Sequence, residues 1–524
     1  MSSICTCLII SLYCHRPRDQ PGQLLLPTTP RVTTVASPEM ASEKAASIKD
    51  ATMTPSSSPV RPSSIAEGTV ETLAGEKEVF GTGAGDVNFR NVSWQRAAIF
   101  MLKMTFATGV LSLPASMNSL GAFPGAVFIV LWGCVNCYMA VLQGEFKLRH
   151  PSVHTVSDSA EICGLLLSGG SKKWAFVAKE VTEVIYLLSW ILCTGLSILG
   201  TSIALNALSR HATCTVVFAF VSYLAISAVG SIRKMEKTAL ISWVGFFSIL
   251  GAILVVLVGT ALRDRPAAAP ATGDYELGFR AFPASTVTFA QAWSAALVIF
   301  ASSANTSGYV PVISEMRNPQ HYFRSVYITM SWIVVSYMII GMVMFRYAGQ
   351  WLATPALGSA GPTIKTVSYA VALPGLVASG MICVHVSGKS VFVRVLRGSK
   401  HLTANTWQHW TIWLASTFGT GLIGWVICEA IPFYGSLVSI IGSLGFGPLG
   451  ICLPAVMWFC MHPGSFHGSS RARMMWWLHL AILIMGLFVT VGGTYANVVV
   501  IIGQFKDGTV SGPFDCADNS NTVG

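Results

Sequence analysis

Five stretches of this chain contain no Asp, Glu, Lys or Arg: 104–144, 184–209, 281–314, 430–461 and 474–505. A helix needs about 20 apolar residues to cross the hydrocarbon core of a bilayer. Each stretch exceeds that length, and the longer ones must contain turns or tilted helices. A water-soluble core cannot hide so much uncharged chain, so lipid is the solvent. Composition agrees: 11% of the 524 residues are charged and 52% are hydrophobic, against about 25% charged in an ordinary soluble domain.

The chain reads as an all-α polytopic membrane protein of eleven spans. Span 1 is expected at 96–117, span 2 at 121–146, span 3 at 175–208, span 4 at 213–230 and span 5 at 238–262. Span 6 follows at 289–314, span 7 at 323–348, span 8 at 364–396, span 9 at 407–428, span 10 at 432–460 and span 11 at 474–503. The domain plan is then a polar tail (1–92), five spans (93–262), a loop (263–288), five more spans (289–461), a last span (462–505) and a C-terminal tail (506–524).

The net charge of +10 does not point to nucleic acid, because the basic residues cluster between spans. Fourteen lie in the loops on one side: Lys147, Arg149, Lys172, Lys173, Arg233, Lys234, Lys237, Arg317, Arg324, Arg394, Arg397, Lys400, Arg471 and Arg473. Six lie on the other: Arg210, Arg263, Arg265, Arg280, Arg346 and Lys365. The richer side is expected in the cytosol, which puts the N-terminus inside and the C-terminus outside. Residues 28–90 are rich in Ser, Thr, Pro, Ala and Gly and read as a disordered cytosolic tail. The apolar stretch Ile4 to Cys14 lacks the basic flank of a signal peptide; Met40 opens a cytosolic tail by itself, and residues 1–39 read as an alternative start or a gene-model extension.

Two spans break the pattern of an ordinary membrane helix. Span 1 contains Thr105-Phe-Ala-Thr-Gly-Val-Leu-Ser-Leu-Pro114, and span 6 contains Phe300-Ala-Ser-Ser-Ala-Asn-Thr-Ser-Gly-Tyr-Val-Pro311. Proline removes a helical donor and clashes with the preceding turn. Glycine makes leaving the helix cheap. Unwound backbone at membrane depth persists only where it lines a cavity or is buried in protein. Spans 1 and 6 are equivalent positions if spans 1–5 and 6–10 are inverted repeats, and paired interruptions of this kind mark a transporter's binding site.

The chemistry suits a zwitterion: a half-helix N-terminus can hold a carboxylate, and exposed carbonyls can hold an ammonium. The expected substrate-binding residues are Phe106, Ala107, Thr108, Gly109 and Val110 from span 1, and Ser302, Ser303, Ala304 and Asn305 from span 6. Phe300, and Tyr186 or Trp190 from span 3, are candidates for the side-chain pocket. Charges inside spans are costly. Lys103 and Lys389 either snorkel to the interface or stand where a coupling sodium ion would sit, which would make transport depend on protons. Lys179 and Glu183 are spaced to pair on one helical face. Glu315 is read as a cap or as an inner gate with Arg96 or Lys103.

No metal or cofactor site is expected. Cys134 and Cys137 form a lone CxxC within a span, and the thirteen cysteines read as scattered membrane residues. Gly388-Lys389-Ser390 lacks the glycine and the setting of a phosphate loop. An enzyme would need a cluster of His, Asp, Glu or a nucleophile within the spans, where carboxylates are nearly absent apart from Glu180 and Glu183. A sensor using a transporter's binding site is the remaining alternative.

From Asn91 to about His462 the chain resembles the amino acid/auxin permease family, and within it the fungal neutral amino acid permeases of the methyltryptophan-resistance type. The residues that carry the resemblance include Gly109-Val-Leu-Ser-Leu-Pro114, Phe146-Lys-Leu-Arg-His-Pro151, Ser202-Ile-Ala-Leu-Asn-Ala207, Glu315-Met-Arg-Asn-Pro319 and Phe392-Val-Arg-Val-Leu-Arg-Gly-Ser-Lys-His-Leu402. The resemblance implies a leucine-transporter-type core of 5+5 inverted repeats plus one helix. It further implies proton-coupled uptake of neutral aliphatic and aromatic amino acids, at the plasma membrane or, as in some relatives, export from the vacuole. Ser302 to Ser307 is more polar than the family's usual span 6.

Overall fold

A computed structural model describes residues 92–106, 109–232, 235–397, 399–402, 405–507 and 512–520. All but Val92 of the tail expected at 1–92 lies outside the described residues, as do Ala107, Thr108, Arg233 and Lys234. The described residues are helical apart from their turns and loops, and their one β-pairing is an isolated bridge between Val92 and Met316. The helices are α1 (Trp94–Phe106), α2 (Leu113–Leu120), α3 (Ala122–Arg149), α4 (Val156–Leu167), α5 (Lys172–Ser209), α6 (Thr215–Gly230) and α7 (Met235–Ala261). They continue with α8 (Phe289–Ser303), α9 (Tyr309–Glu315), α10 (Tyr322–Ala348), α11 (Pro362–Leu396), α12 (Trp407–Ala430), α13 (Tyr434–Ile440), α14 (Leu453–Met461) and α15 (Ser470–Lys506).

Among the described residues, nine helical stretches are long and apolar enough to cross a membrane. The other two expected spans are the interrupted segment α1–α2 and the 16-residue α6. Large apolar side chains stand uncovered on the outward faces, as at Trp477, Ile484, Val491 and Tyr495 of α15. Such area costs about 25 cal/mol per Å2 against water and nothing against lipid.

Three expected spans are irregular inside. In span 1, α1 is described as far as Phe106, and the chain makes a 3-10 turn at Gly109–Leu111 before α2. Pro114 sits in the first turn of α2, where its missing N–H is no loss. Span 6 stops at Ser303 and passes through a 3-10 stretch, Asn305–Gly308, before α9. Span 10 is wound as π-helix over Ile441–Phe446 and again over Pro448–Cys452. The first of these turns packs closely on α8: a Cβ on Gly442 would fall 2.9 Å from Ala301 Cβ and 3.1 Å from Leu297 O.

The segment between spans 2 and 3, expected as a loop, holds α4. Its start is a capping box: Thr155 accepts from the Asp158 amide, and Asp158 Oδ2 accepts from the Thr155 amide at 2.9 Å. Such a cap stabilises a helix by about 1 kcal/mol. The expected Lys179–Glu183 pair does not form. Lys179 bonds Asp158 at 3.1 Å and Glu161 at 2.5 Å on α4. Glu183 instead accepts from Ser157 Oγ at 2.6 Å and Ser390 Oγ at 2.5 Å. Tertiary partners on two elements, α4 and α11, displace the weak intrahelical pair.

The cysteines are not all bystanders, as the sequence reading had them. Cys214, just before α6, is disulfide-bonded to Cys516 in the C-terminal segment.

Candidate functional site

The two interruptions face each other. Gly109 lies so close to span 6 that an ideal Cβ on it would fall 2.7 Å from Ser302 Cα. Ser302 Oγ donates to Gly109 O at 2.9 Å, and that carbonyl also accepts from Ser112 Oγ at 3.0 Å. Asn305 Nδ2 donates to Met104 O at 3.1 Å, binding the unwound part of span 6 to the end of α1. Tyr337 of α10 donates from its hydroxyl to Ser302 O at 2.8 Å and to Thr105 O at 3.4 Å. One side chain thus serves carbonyls at both breaks. Thr105 and Tyr309 hydroxyls meet at 2.6 Å.

From α3, Asn136 Nδ2 donates to Ser303 Oγ at 2.8 Å and Gln143 Nε2 to Thr306 Oγ1 at 3.3 Å. Carbonyls of Met104, Thr105, Gly109 and Ser302 at the breaks are therefore met by side chains, as buried polar groups generally are. At the far ends, the chain before α1 pairs with the chain after α9. Val92 N–H donates to Glu315 O at 3.1 Å, and Arg317 N–H to Val92 O at 2.9 Å.

A cavity of about 60 Å3 lies beside the breaks. Lys103, Gly109 and Asn305 line it from spans 1 and 6, and Trp190 and Leu196 from α5. Ser379, Ile382 and Cys383 of α11 close another side, and Val438, Ile441 and Phe446 of span 10 the last. It is far smaller than the roughly 300 Å3 at which ligand pockets usually begin, so a substrate of any size requires the wall to open. The lining has no carboxylate. Asn305 is 7% exposed, and its Oδ1 has no hydrogen-bond partner among the described residues.

Lys103 is buried where α1, α7 and α11 meet. Its Nζ donates to Ser379 Oγ at 3.0 Å and Gly375 O at 3.4 Å. A Cβ on Gly245 of α7 would stand 3.1 Å from the same nitrogen. The ammonium is thus held by neutral partners, an expensive arrangement for a buried charge.

The expected residues separate into groups. Lys103, Gly109, Asn305 and Trp190 line the cavity. Ser302 and Ser303 stand behind it in the hydrogen bonds just described, and Val110 and Ala304 are buried beside the breaks. Phe106 packs against Phe246 at 5.8 Å and Tyr337 at 5.9 Å. Phe300 packs against Trp132 of α3 at 4.8 Å, away from the lining. Tyr186 is half-buried with its ring edge-on to Trp190 at 5.9 Å. Lys389 is exposed on α11 and Glu315 is half-buried at the end of α9. Neither lines the cavity, and the Lys389 charge acts on Glu315. Ala107 and Thr108 fall outside the described residues. Sequence reasoning missed the span 10 wall, although Gly442, Gly445, Gly447 and Pro448 form a third glycine–proline cluster of the kind that exposed the other two breaks.

Residues 90–499 match the family described as transmembrane amino acid transporter protein. A "transmembrane transporter" of Gibberella moniliformis is 38% identical over 456 residues, covering 86% of this chain and 93% of its own. A protein of the same description from Fusarium pseudograminearum is 36% identical, covering 85% and 91%. The "N amino acid transport system protein" of Neurospora crassa is 27% identical, covering 83% and 90%. A solved Na+-coupled sialic acid symporter in a substrate-bound outward-open state overlays with a TM-score of 0.47 at 11% identity, over 84% of this chain and 97% of its own. With a family match over most of its length and relatives of this similarity, the chain belongs to the transmembrane amino acid transporter family, a family of membrane-spanning transporters rather than enzymes.

Proposed function

We propose that this protein is a proton-coupled secondary transporter that imports neutral aliphatic and aromatic amino acids by alternating access, with eleven spans in two inverted repeats of five plus one. The observation that carries this reading is the Gly109–Ser302 contact: two helix breaks meet beside a cavity lined by both. The backbone amides of the turn at Gly109 and Val110, at the entrance to α2, suit a substrate carboxylate. The unpartnered Asn305 Oδ1 and the carbonyl end of α8 suit the ammonium. The walls from α5, α11 and span 10 supply apolar surface for the side chain, and the absence of a lining carboxylate disfavours a cationic one. This neutral preference is that of the methyltryptophan-resistance type of permease.

Lys103 is the proposed coupling group. It joins α1 to α11 through Gly375 and Ser379, a place where a bound cation would serve the same purpose. Protonation and deprotonation of this amine would make and break that link. The bundle of spans 1, 2, 6 and 7 would then rock against a scaffold of spans 3, 4, 8 and 9. The Cys214–Cys516 bond supports the orientation, since disulfides persist on oxidising faces. On this reading the protein sits in the plasma membrane, with the Cys214 face outside and the face holding Val92 in the cytosol.

Uptake of a labelled amino acid panel into proteoliposomes tests this, with an inward acid gradient and sodium present or absent. Accumulation of neutral amino acids driven by acid and indifferent to sodium is expected. No transport by folded, reconstituted protein would overturn the reading in favour of a sensor.

A further inference from the structure

The segment 512–520 folds back onto the face that carries the α5–α6 turn. Cys516 is bonded to Cys214, 302 residues earlier in sequence. On α6, Thr215 Oγ1 donates to Ala517 O at 2.6 Å. On α5, Asn206 Nδ2 donates to Asn519 Oδ1 at 2.7 Å, and Asn519 Nδ2 donates to Ser202 Oγ at 3.5 Å. From the first turn of α11, Lys365 Nζ donates to Ser520 O. At the end of α12, Glu429 O accepts from the Phe514 N–H at 3.4 Å, and the Phe514 ring meets Trp425 edge-on at 5.8 Å. Asn206 and Ser202 are fully buried, and Lys365 and Ser520 are each 7% exposed. Polar groups buried this deeply need their partners, so the segment is a component of the fold.

A second segment on the same face holds other helices. In the loop between α7 and α8, Arg280 O and Ala281 O accept from the Ala122 and Phe123 amides at the start of α3, both at 2.9 Å. Arg280 also donates to Asn118 Oδ1 of α2 at 3.4 Å. Leu277 O accepts from Gln350 N–H at 2.9 Å, just after α10, and Phe279 packs on Phe345 of α10 at 5.2 Å.

We propose that these segments are two separate braces that divide the outer face along the line on which the transporter moves. The 277–281 stretch ties α2, α3 and α10, the outer ends of spans 1, 2 and 7. The disulfide-anchored 512–520 stretch ties α5, α6, α11 and α12, the outer ends of spans 3, 4, 8 and 9, so that these four move as one block. The inference rests on the alternating-access reading for its meaning, but the grouping of helix ends is a property of the fold.

The test is hydrogen–deuterium exchange followed by mass spectrometry on full-length wild type and Cys516→Ser in lipid nanodiscs. Non-reducing peptide mapping first checks the bond; free thiols at both Cys214 and Cys516 in wild type would overturn the proposal. In the variant, exchange should quicken severalfold at 202–215, 362–368 and 425–430. It should stay unchanged at 118–123 and 345–351. No change at the first set, or an equal rise at both sets, would overturn the proposal. Asn519→Ala, which keeps the disulfide, should give a smaller rise confined to 202–215 and serves if Cys516→Ser does not fold; no rise there would count against the brace. Exchange is read whether or not the protein moves amino acids, so failure of the transport reading and failure of the brace are distinct results.

Discussion

The α-carbon of Ser302 occupies the space that a side chain on Gly109 would need: an ideal Cβ there falls 2.7 Å from it and 2.9 Å from Ser302 Oγ. Backbone rather than a flexible side-chain tip blocks the way, so even a methyl group must push the two breaks apart. Overpacking of this kind costs about 1–3 kcal/mol. Gly109→Ala should therefore lower the melting temperature of the solubilised protein and reduce uptake. Gly109→Trp should abolish uptake while surface labelling shows normal insertion. Wild-type uptake by the Trp variant would refute the placement of the site.

Lys103 and Lys389 separate the coupling hypothesis from snorkelling. Lys103 is buried with hydrogen bonds to Gly375 O and Ser379 Oγ, whereas Lys389 is exposed. Lys103→Gln should lose accumulation driven by a pH gradient while keeping substrate exchange across the membrane. Lys389→Gln should retain gradient-driven accumulation. The ratio of net uptake to exchange, measured for both variants, decides.

Asn305 holds Met104 O, lines the cavity and keeps a buried Oδ1 without a partner among the described residues. A hydrogen bond to a charged group contributes about 1.5–3 kcal/mol, or about tenfold to a hundredfold in affinity. Asn305→Leu should weaken substrate binding by that factor. An unchanged Kd by scintillation proximity would remove Asn305 from the ammonium site.

His154 gives a pH dependence outside the membrane. Burial first, and then the Lys147 charge, hold its imidazole below the usual 6.5, with Asp158 opposing and Lys389 adding to the depression. The folded protein then binds fewer protons than the unfolded chain below pH 6.5, so stability is full above that value and declines on acidification. Wild type should lose melting temperature between about pH 6.5 and 5 relative to His154→Gln. Parallel curves would show that the histidine does not contribute.

The membrane class and the position of the two breaks were legible because each follows from local chemistry. Uncharged length identified the spans, and the observed ends of α3, α10 and α12 fall within three residues of expectation. Glycine and proline at mid-span identified the interruptions. The helix α4 was missed although Thr155 and Asp158 are the first and fourth residues of a capping box, because it is too short to register as a span. The partners of Lys179, the wall from span 10 and the Cys214–Cys516 bond all depend on which helices become neighbours. With thirteen cysteines and a separation of 302 residues, nothing local singles out that pair. Phe300 shows the same limit from the other side: its place in the broken span was readable, but its packing against Trp132 of α3 depends on which helix becomes its neighbour.

Proton entry during transport tests the central claim most directly. A pH-sensitive dye is trapped in sodium-free proteoliposomes, and leucine or phenylalanine is added outside. Wild-type vesicles should acidify inside as the labelled amino acid enters, and Lys103→Gln vesicles should not. Entry of amino acid without acidification, or entry only when sodium is supplied, would contradict the account.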